Sequence, residues 1–254
     1  MDSMKRDEES VRGKDQLFAE PRERVDDFHF GRETAAVFDD MLNRSVPFYG
    51  EIQRMTGELI GDFAAPDSNI YDLGCSTCNT FRAAAHFLAP GTTVRFIGID
   101  SSPEMLDKAA AKLKAENFSF DFELRQADLN EGMTFENASV VILTLTLQFV
   151  RPLNRERLVR SLYNGLNDNG CLILVEKVLG EDTLFNRLFI EHYYEMKRRN
   201  GYSDMEIVQK REALENVLVP YRLEENKQLL RDAGFMKFDT FFKWYNFAGM
   251  IAIK

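Results

Sequence analysis

Residues 72–80 have the types and spacing of a ligand-binding turn. They read Asp72-Leu-Gly-Cys-Ser-Thr-Cys-Asn-Thr80, after a short apolar run at 69–71 and before a helical pattern that includes Phe81 and Leu88. An acid at the end of a strand, a glycine for a tight turn and small residues that open a helix bring backbone N–H groups to a polar ligand. The stretch predicts a Rossmann-like binding turn but is less specific about which ligand binds there.

Two further acids follow predicted strands and suit a nucleoside. Asp100 ends the second strand, 26 residues after Gly74, where a carboxylate can accept both ribose hydroxyls. It could instead serve the start of the helix at Ser102-Pro103. Asp128 follows the third strand and would accept a hydrogen bond from the exocyclic amine of an adenine, unless it is a loop acid satisfied by backbone amides.

The same turn contains Cys75 and Cys78 in a C-x-x-C arrangement, which is also the pattern of thioredoxin-like redox pairs. The alternative is that Cys75 packs as a small hydrophobe beneath the turn, and at 254 residues the chain is too long for a thioredoxin domain. No metal site is expected, because the remaining candidate ligands show no metal-binding spacing; they are Cys171, His29, His86 and His192.

Arg211 is the most informative single residue. In a helix predicted at 203–218, Ile207, Arg211, Leu214 and Leu218 follow the spacing of an apolar stripe. Burial of a guanidinium without a partner is costly, so this side chain should meet a carboxylate, which Arg binds in a bidentate manner. That carboxylate could belong to a ligand or to a structural salt bridge, or the head group could extend to solvent.

Strands and helices alternate between these residues and position them. Strands are predicted at 69–73, 94–99, 120–125, 140–144 and 171–175, with helices between them, and alternation of this kind indicates a parallel sheet covered on both faces. Two closing strands at 237–242 and 245–253 should form an antiparallel hairpin. The predicted fold is α/β, the class I S-adenosylmethionine-dependent methyltransferase-like (Rossmann-like) fold, rather than an NAD-binding Rossmann domain.

The rest of the chain is predicted to add to this single domain, which spans residues 17–254. Residues 1–16 are charged and poor in apolar side chains, and we expect a disordered tail there. Helices and isolated Phe anchors at 17–63 predict an N-terminal strap, and residues 181–218 predict a helical insertion of two helices without a strand between them.

Composition limits the function classes. The net charge is −9 and the isoelectric point about 5.0, whereas direct nucleic-acid binding normally needs a basic face. No apolar run approaches the roughly 20 residues of a bilayer crossing, and the N-terminus has no signal-peptide core. Three cysteines do not make a disulfide framework, so we expect a cytoplasmic, reducing compartment.

Together these motifs are specific enough to name a family. Over roughly residues 15–254 the chain resembles the carboxy-S-adenosyl-L-methionine synthases, methyltransferase-like enzymes of bacterial tRNA wobble-uridine modification. The resemblance is carried by Asp72-Leu-Gly-Cys-Ser76 and by motifs outside that turn: Arg44-Ser-Val-Pro47 with Tyr49, Glu136-Asn-Ala-Ser139, Leu145-Thr-Leu-Gln-Phe149, Glu176-Lys177, Asn200-Gly-Tyr-Ser203, Gln209-Lys-Arg211 and Leu214-Glu-Asn-Val217.

The resemblance implies that S-adenosyl-L-methionine and prephenate are converted to carboxy-S-adenosyl-L-methionine and phenylpyruvate. In the mechanism proposed for the family, CO2 lost from prephenate is captured by a sulfonium ylide at the cofactor's methyl group. A separate enzyme then uses the product on tRNA, which agrees with an acidic chain that need not bind RNA. The bound cofactor would be S-adenosyl-L-methionine, its carboxylated product or S-adenosylhomocysteine.

The resemblance also assigns site residues. Arg211 would bind the new carboxylate and, in the family, reaches in from the neighbouring subunit, which implies a homodimer. Thr144 stands at the end of strand four, where the family has an Asn. No residue stands out as the base that removes the methyl proton. The remaining cofactor-binding residues are Tyr49, Gly74, Cys75, Ser76, Asp100, Ser101, Asp128 and Leu129.

Two departures from the family pattern keep alternatives open. The family has Ser-Leu-Gly-Ala after Gly-Cys, whereas this chain has Ser76-Thr-Cys-Asn79, which should place a Cβ where the methionine part of the cofactor approaches the backbone. Thr144 offers one hydroxyl in place of an amide. The alternatives are a small-molecule methyltransferase that uses S-adenosylmethionine and a non-catalytic S-adenosylmethionine-binding accessory protein of tRNA modification.

Overall fold

The computed structural model describes residues 13–254. Most of the tail predicted at 1–16 lies outside this range. Within the described part, Asp15 is buried and forms an ion pair with Lys210. The packed chain therefore begins before the boundary predicted at residue 17, because a charge-pair partner 195 residues away holds Asp15 in place.

The described helices and strands follow the predicted order. In chain order they are α1 (Arg32–Ser45), α2 (Tyr49–Phe63), β1 (Ser68–Leu73), α3 (Asn79–Ala85), β2 (Val94–Asp100), α4 (Pro103–Ala115), β3 (Asp121–Gln126), β4 (Ala138–Thr144), α5 (Pro152–Gly165), β5 (Leu166–Leu179), α6 (Thr183–Arg199), α7 (Asp204–Leu214), β6 (Tyr221–Arg222), α8 (Leu223–Ala233), β7 (Lys237–Trp244) and β8 (Phe247–Ile253). A single 3-10 turn, Leu147–Phe149, follows β4.

The sheet has the strand order β3-β2-β1-β4-β5-β8-β7, with the two-residue β6 beside the end of β5. The neighbours from β3 to β5 pair in parallel, and β8 is antiparallel to both β5 and β7. This arrangement confirms the predicted methyltransferase-like α/β fold, including its closing hairpin. The chain order reverses at β1 and β4, and open α/β sheets bind ligands at the carboxyl ends of strands beside such a point.

Apolar side chains cover both faces of the sheet. On one face, Leu158 and Leu162 of α5 and Leu230 of α8 pack on the central strands. On the other face, Phe81 of α3 and Leu113 of α4 pack with residues of β1, β2 and β4. Every residue of β4 except Thr144 is buried, which explains why this strand is a continuous apolar run.

The N-terminal strap and the helical insertion contact each other. Gln209 of α7 donates to the carbonyls of Phe18 and Glu20, at 2.9 and 3.0 Å, and accepts from the backbone N–H of Arg22. Arg44 at the end of α1 donates to the carbonyls of Asn200 and Gly201, both at 2.9 Å. These contacts connect two segments that are far apart in the chain.

Candidate active site

A cavity of about 460 Å³ opens at the carboxyl ends of the central strands. Its volume lies within the range of small-molecule sites. Helices α1, α2, α6 and α7 contribute to its wall. All ten residues that the sequence assigned to the site line this cavity: Tyr49, Gly74, Cys75, Ser76, Asp100, Ser101, Asp128, Leu129, Thr144 and Arg211. The fold brings the predicted set together, and the individual contacts with a cofactor stay a prediction.

Gly74 forms the tight turn after β1. Its φ of +70° is in the left-handed region, and a Cβ built there would clash with Oγ1 of Thr146. The backbone N–H of Gly74 donates to the carbonyl of Ile99 at 2.7 Å, which ties the turn to β2. Only glycine fits this position, because both the backbone conformation and the close approach of Thr146 exclude a side chain.

Asp100 lies directly across from this turn. One carboxylate oxygen accepts from the backbone N–H of Ser76 and the other from that of Ser102, both at 2.9 Å. The N-cap of α4 is Ser102, whose hydroxyl accepts from the backbone N–H of Met105. Burial raises the pKa of Asp100, although the hydrogen bonds from the two backbone N–H groups partly offset this rise. The carboxylate is thus fixed in orientation at the cavity wall, as a group that accepts ribose hydroxyls would need to be.

Asp128 is held by local hydrogen bonds at the cavity wall. Its Oδ1 accepts from the backbone N–H and from the side-chain amide of Asn130, both at 2.9 Å. The residue nevertheless lines the cavity beside Leu129. These local hydrogen bonds orient the carboxylate, and its contact with adenine stays a prediction.

Cys78 does not protrude into the site, which corrects the expectation from sequence. Its φ is +57°, so the backbone keeps the left-handed conformation that suits glycine, and the side chain is fully buried in the core beside Phe81 and Ala84. Cys78 is not among the residues that line the cavity. The turn keeps its path because the Cβ points into the core, away from the ligand side.

The redox interpretation of Cys75 and Cys78 finds no support in their surroundings. Both thiols are free and buried. A hydrogen bond with Cys78 and burial raise the pKa of Cys75 well above the ordinary value. A neutral, buried thiol is a poor nucleophile, and Cys75 instead fills space beneath the turn and at the cavity wall.

Three buried polar atoms of cavity-lining residues have no hydrogen-bond partner within residues 13–254: Oε1 of Gln53, Oδ2 of Asp72 and Oγ1 of Thr144. The last two lie near the carboxyl ends of β1 and β4. Burial, together with the nearby charge of Asp100, raises the pKa of Asp72 to about 7. Orphaned buried polar atoms are rare in folded proteins, so Oδ2 of Asp72 and Oγ1 of Thr144 mark positions where a polar ligand would complete the hydrogen bonding.

Arg211 lines the cavity, but for a different reason from the one that the sequence suggested. Helix α7 ends at Leu214, so Leu218 is not part of it, and its buried face consists of Ile207, Gln209, Lys210 and Ala213. Arg211 itself is exposed, and the apolar-stripe assignment was wrong. The polar contacts of Gln209 and Lys210 with the strap decide which side of this helix faces inward. Within the described residues Arg211 forms no ion pair, and the resemblance had placed it in the cavity of a neighbouring subunit.

Sequence reasoning missed three lysines of the cavity wall. Lys177, Lys197 and Lys210 all line it, although the chain is acidic overall. Burial lowers the pKa of Lys177 to about 8, and burial with two neighbouring ammonium groups lowers that of Lys197 well below its usual range. The available signal was the position of Lys177, two residues after the apolar run at 171–175. The cluster itself becomes visible only in three dimensions.

Glu176 supports the loop that follows β4. Its buried carboxylate accepts from the backbone N–H groups of Thr146, Leu147 and Gln148, at 3.2, 2.9 and 2.9 Å. This contact fixes Thr146 against Gly74 and places Gln148 at the cavity. Glu176 therefore positions the wall without lining the cavity itself.

Within residues 13–254, no three His, Cys, Asp or Glu side chains are grouped as a metal site would require. The same part of the chain contains no helix with the length and apolarity needed to cross a membrane.

Comparison with known proteins shows the family of this chain. A family model described as a methyltransferase domain matches residues 70–170. The carboxy-S-adenosyl-L-methionine synthase of Methylococcus capsulatus is 56% identical over 95% of this chain and 99% of its own length. Those of Nitratiruptor sp. and Desulforapulum autotrophicum are 42% and 45% identical, over 95% of this chain and 98% and 97% of their own lengths. The chain belongs to the carboxy-S-adenosyl-L-methionine synthase family.

Solved structures agree on the fold. An O-methyltransferase family protein from Burkholderia thailandensis aligns with a TM-score of 0.61 at 16% identity, over 89% of this chain and 64% of that one. The S-adenosylmethionine-dependent methyltransferase SibL aligns with a TM-score of 0.60 at 14% identity, over 97% and 67%. At such identities the likeness concerns the fold alone.

The residues at the cavity fit S-adenosyl-L-methionine, the cofactor that the family name implies. The orphaned Oδ2 of Asp72 suits an ammonium group, the fixed carboxylate of Asp100 suits ribose hydroxyls, and the orphaned hydroxyl of Thr144 can donate or accept. Gly74 itself adds no side chain to the cavity wall. The chain's differences from the family at Cys78 and Thr144 are therefore compatible with this cofactor.

Proposed function

We propose that the protein converts S-adenosyl-L-methionine and prephenate to carboxy-S-adenosyl-L-methionine and phenylpyruvate. The observation that carries the proposal is the position of Arg211: a guanidinium with no ion-pair partner in the described residues, on the wall of the same cavity that Asp100 and Asp128 line. S-adenosyl-L-methionine carries one carboxylate, on its methionine part, and the carboxylated cofactor carries a second, which a further guanidinium at the wall would bind.

The proposed reaction balances without an added oxidant or metal. Prephenate loses its ring carboxylate and its ring hydroxyl and becomes phenylpyruvate. The carboxylate carbon bonds to the methyl carbon of the cofactor, and the proton displaced from that methyl leaves with the hydroxyl as water. When bound, S-adenosyl-L-methionine supplies a methyl group made acidic by the adjacent sulfonium, and the residues of this chain bind, orient and exclude water.

The product would serve a separate enzyme that carboxymethylates a hydroxylated wobble uridine in tRNA. The acidic chain agrees with this division of labour, since it need not bind tRNA. We also propose that the reaction takes place in the reducing cytoplasm, in keeping with the three free cysteines.

Product analysis tests the proposal. Purified protein is incubated with S-adenosyl-L-methionine and with prephenate that carries an isotopic label in its ring carboxylate. We expect the label in a cofactor that is heavier by one CO2, together with phenylpyruvate in equal amount. Formation of S-adenosylhomocysteine and a methylated acceptor would favour a small-molecule methyltransferase. Cofactor binding without any turnover would favour an accessory protein.

Arg211→Ala tests the carboxylate contact. Loss of a charge-assisted hydrogen bond of about 1.5–3 kcal/mol should weaken binding of carboxy-S-adenosyl-L-methionine by roughly 10- to 150-fold, while S-adenosyl-L-methionine binding changes little. Calorimetric titration of both ligands provides the comparison. Equal losses for the two would mean that Arg211 has a structural role.

We further propose a homodimer. Light scattering should then give twice the chain mass of 29.3 kDa. Arg211 lines the cavity of its own chain, whereas the resemblance implies a contribution from the neighbouring subunit. A mixture of Arg211→Ala and Asp100→Ala chains distinguishes these cases: recovered activity means that Arg211 acts across subunits, and no recovery means that it acts within its own chain.

A further inference from the structure

The cavity wall contains more cationic groups than the described residues neutralise. Lys177, Lys197 and Lys210 lie close enough that the ammonium groups of Lys177 and Lys210 both lower the pKa of Lys197. Among residues 13–254 the carboxylate in ion-pair contact with this cluster is that of Asp15, 3.3 Å from Nζ of Lys210, and Glu206 acts on the same Lys210 through its charge without forming an ion pair. Asp15 thus serves Lys210, and two ammonium groups are left without an acid partner.

Lys177 and Lys197 share one aromatic neighbour. Their Nζ atoms lie 5.1 and 4.8 Å from the ring centroid of Tyr193. Tyr193 is itself buried and lines the cavity. The ring attracts both cations, but cation–π contacts are weaker than the desolvation penalty of a buried ion. The aromatic neighbour therefore orients the ammonium groups without compensating for their burial.

The other charged groups nearby do not supply the missing negative charge. Glu176 precedes Lys177, but its carboxylate is engaged by the backbone of residues 146–148. No hydrogen bond or ion pair joins Nζ of Lys177 or Lys197 to another described residue, and both side chains line the cavity. Neighbouring like charges lower the stability of a fold, and such arrangements are typical of sites where a ligand of opposite charge binds.

From this geometry, we propose that Lys177 and Lys197 form a carboxylate-binding subsite for the oxopropanoate arm of the substrate, separate from Arg211. The inference rests on the proposed function, in which the substrate carries two carboxylates. Arg211 is assigned to the carboxylate that moves to the cofactor, so the retained carboxylate requires a cation of its own. The product phenylpyruvate keeps that carboxylate and should occupy the same subsite.

Lys177→Met and Lys197→Met test the subsite. Met keeps most of the length of the side chain and removes the charge. We expect each variant to raise KM for prephenate by about 10- to 100-fold, with S-adenosyl-L-methionine affinity unchanged, and to lose inhibition by phenylpyruvate to a similar extent. Lys237→Met is the matched control, because Lys237 is exposed on β7 and does not line the cavity. Arg199→Met is a second control, which removes an exposed cation from the end of α6, two residues beyond Lys197.

Thermal unfolding of the ligand-free variants separates binding from folding. If the two lysines serve a ligand, replacing an unpaired buried cation by Met should leave Tm unchanged or raise it. A lowered Tm together with equal losses for prephenate and S-adenosyl-L-methionine would show a structural role and overturn the proposal.

The failure of this inference can be told apart from failure of the proposed function. If the wild type turns over prephenate and both variants keep its KM, the subsite is wrong and the function stands. If the wild type gives no carboxylated cofactor but binds phenylpyruvate in calorimetry, and the lysine variants do not, the function is wrong and the subsite stands. If the wild type neither turns over prephenate nor binds phenylpyruvate, both are overturned.

Discussion

At the scale of single residues, burial decides which charged groups of the cavity are poised to change protonation. Burial raises the pKa of Asp72 to about 7 and lowers that of Lys177 to about 8. Asp72 and Lys177 can thus each become neutral near physiological pH. A charged ligand that binds beside them would favour their charged forms. Strongly perturbed groups are typical of functional sites.

Carboxylate binding at Lys177 and Lys197 should therefore depend on pH. The bound anion favours the charged ammonium, so the folded pKa rises on binding and protons are taken up. Because the pKa of Lys177 in the free protein is about 8, its contribution to phenylpyruvate affinity should be constant well below pH 8 and should fall by up to about tenfold per pH unit above it. Lys210, Asp15 and Tyr193 face the same cluster, and the charges of Arg44 and Glu206 act on Lys210. The pairing of Lys210 with Asp15 leaves the two unpaired lysines as the main titrating groups.

Calorimetric titrations at pH 8, in buffers with different heats of ionisation, measure this uptake. The binding heat should vary with the buffer in the wild type, and this variation should shrink in Lys177→Met and Lys197→Met. A buffer-independent heat in the wild type would contradict protonation of these lysines on binding.

At the scale of elements, the cavity wall depends on a contact between β5 and the loop after β4. Glu176 holds the backbone of residues 146–148, and Thr146 in turn contacts Gly74. A strand residue with no cavity surface of its own thus fixes the shape of the ligand-binding turn. The motif Leu145-Thr-Leu-Gln-Phe149 and the motif Glu176-Lys177 are parts of one contact.

Glu176→Ala should lower the free energy of unfolding by about 1–3 kcal/mol, because three buried backbone donors lose their acceptor. It should also weaken S-adenosyl-L-methionine binding, since the loop no longer holds Thr146 against Gly74. Urea denaturation and calorimetry provide the two measurements. Glu191→Ala is the control: its exposed pairing with Arg187 at 3.8 Å should contribute less than about 0.5 kcal/mol. Equal losses of stability in the two variants would contradict the support role of Glu176.

At the scale of the whole molecule, the strap and the insertion close around the cavity through buried polar contacts. Asp15 near the start of the described chain meets Lys210 and the hydroxyl of Tyr202. Burial favours the neutral acid, but the Lys210 ammonium and the hydrogen bond from Tyr202 outweigh it and lower the pKa of Asp15. This contact joins the start of the described chain to the helical insertion and places Arg211, the next residue of α7 after Lys210, at the cavity.

Removal of one partner of this pair should be more harmful than removal of both. Asp15→Ala leaves a buried ammonium without its counter-ion and should cost about 3–5 kcal/mol of stability. The double variant Asp15→Ala with Lys210→Met should recover part of that loss. Denaturant unfolding of the two single variants and the double variant forms the test. Strictly additive losses would show that the two side chains do not interact.

The same contact predicts the sign of a pH effect on stability. Because the folded-state pKa of Asp15 lies below its unfolded value, the stabilisation is present above the unfolded pKa of about 3.9 and is lost as pH falls through the folded value. Asp15→Asn should flatten this acid limb of the stability profile.

Local sequence patterns determined the order of strands and helices, the glycine turn after β1 and the acids at the ends of β2 and β3. Each depends on residues within a few positions of one another, since apolar periodicity, turn chemistry and the end of a strand are local properties. The motifs that indicated the family were equally readable, and all ten assigned site residues line one cavity as a result.

Only the tertiary structure decided which way three decisive side chains point. Arg211 faces the cavity because Gln209 and Lys210 face the strap, Cys78 points into the core although its backbone takes a glycine-like conformation, and Lys177 meets Lys197 across β5 and α6. When a helix buries polar residues, its rotation is set by partners that are distant in sequence. The electrostatic potential at a lysine ammonium likewise depends on charges that are far away in the chain. Neither is encoded in a local pattern.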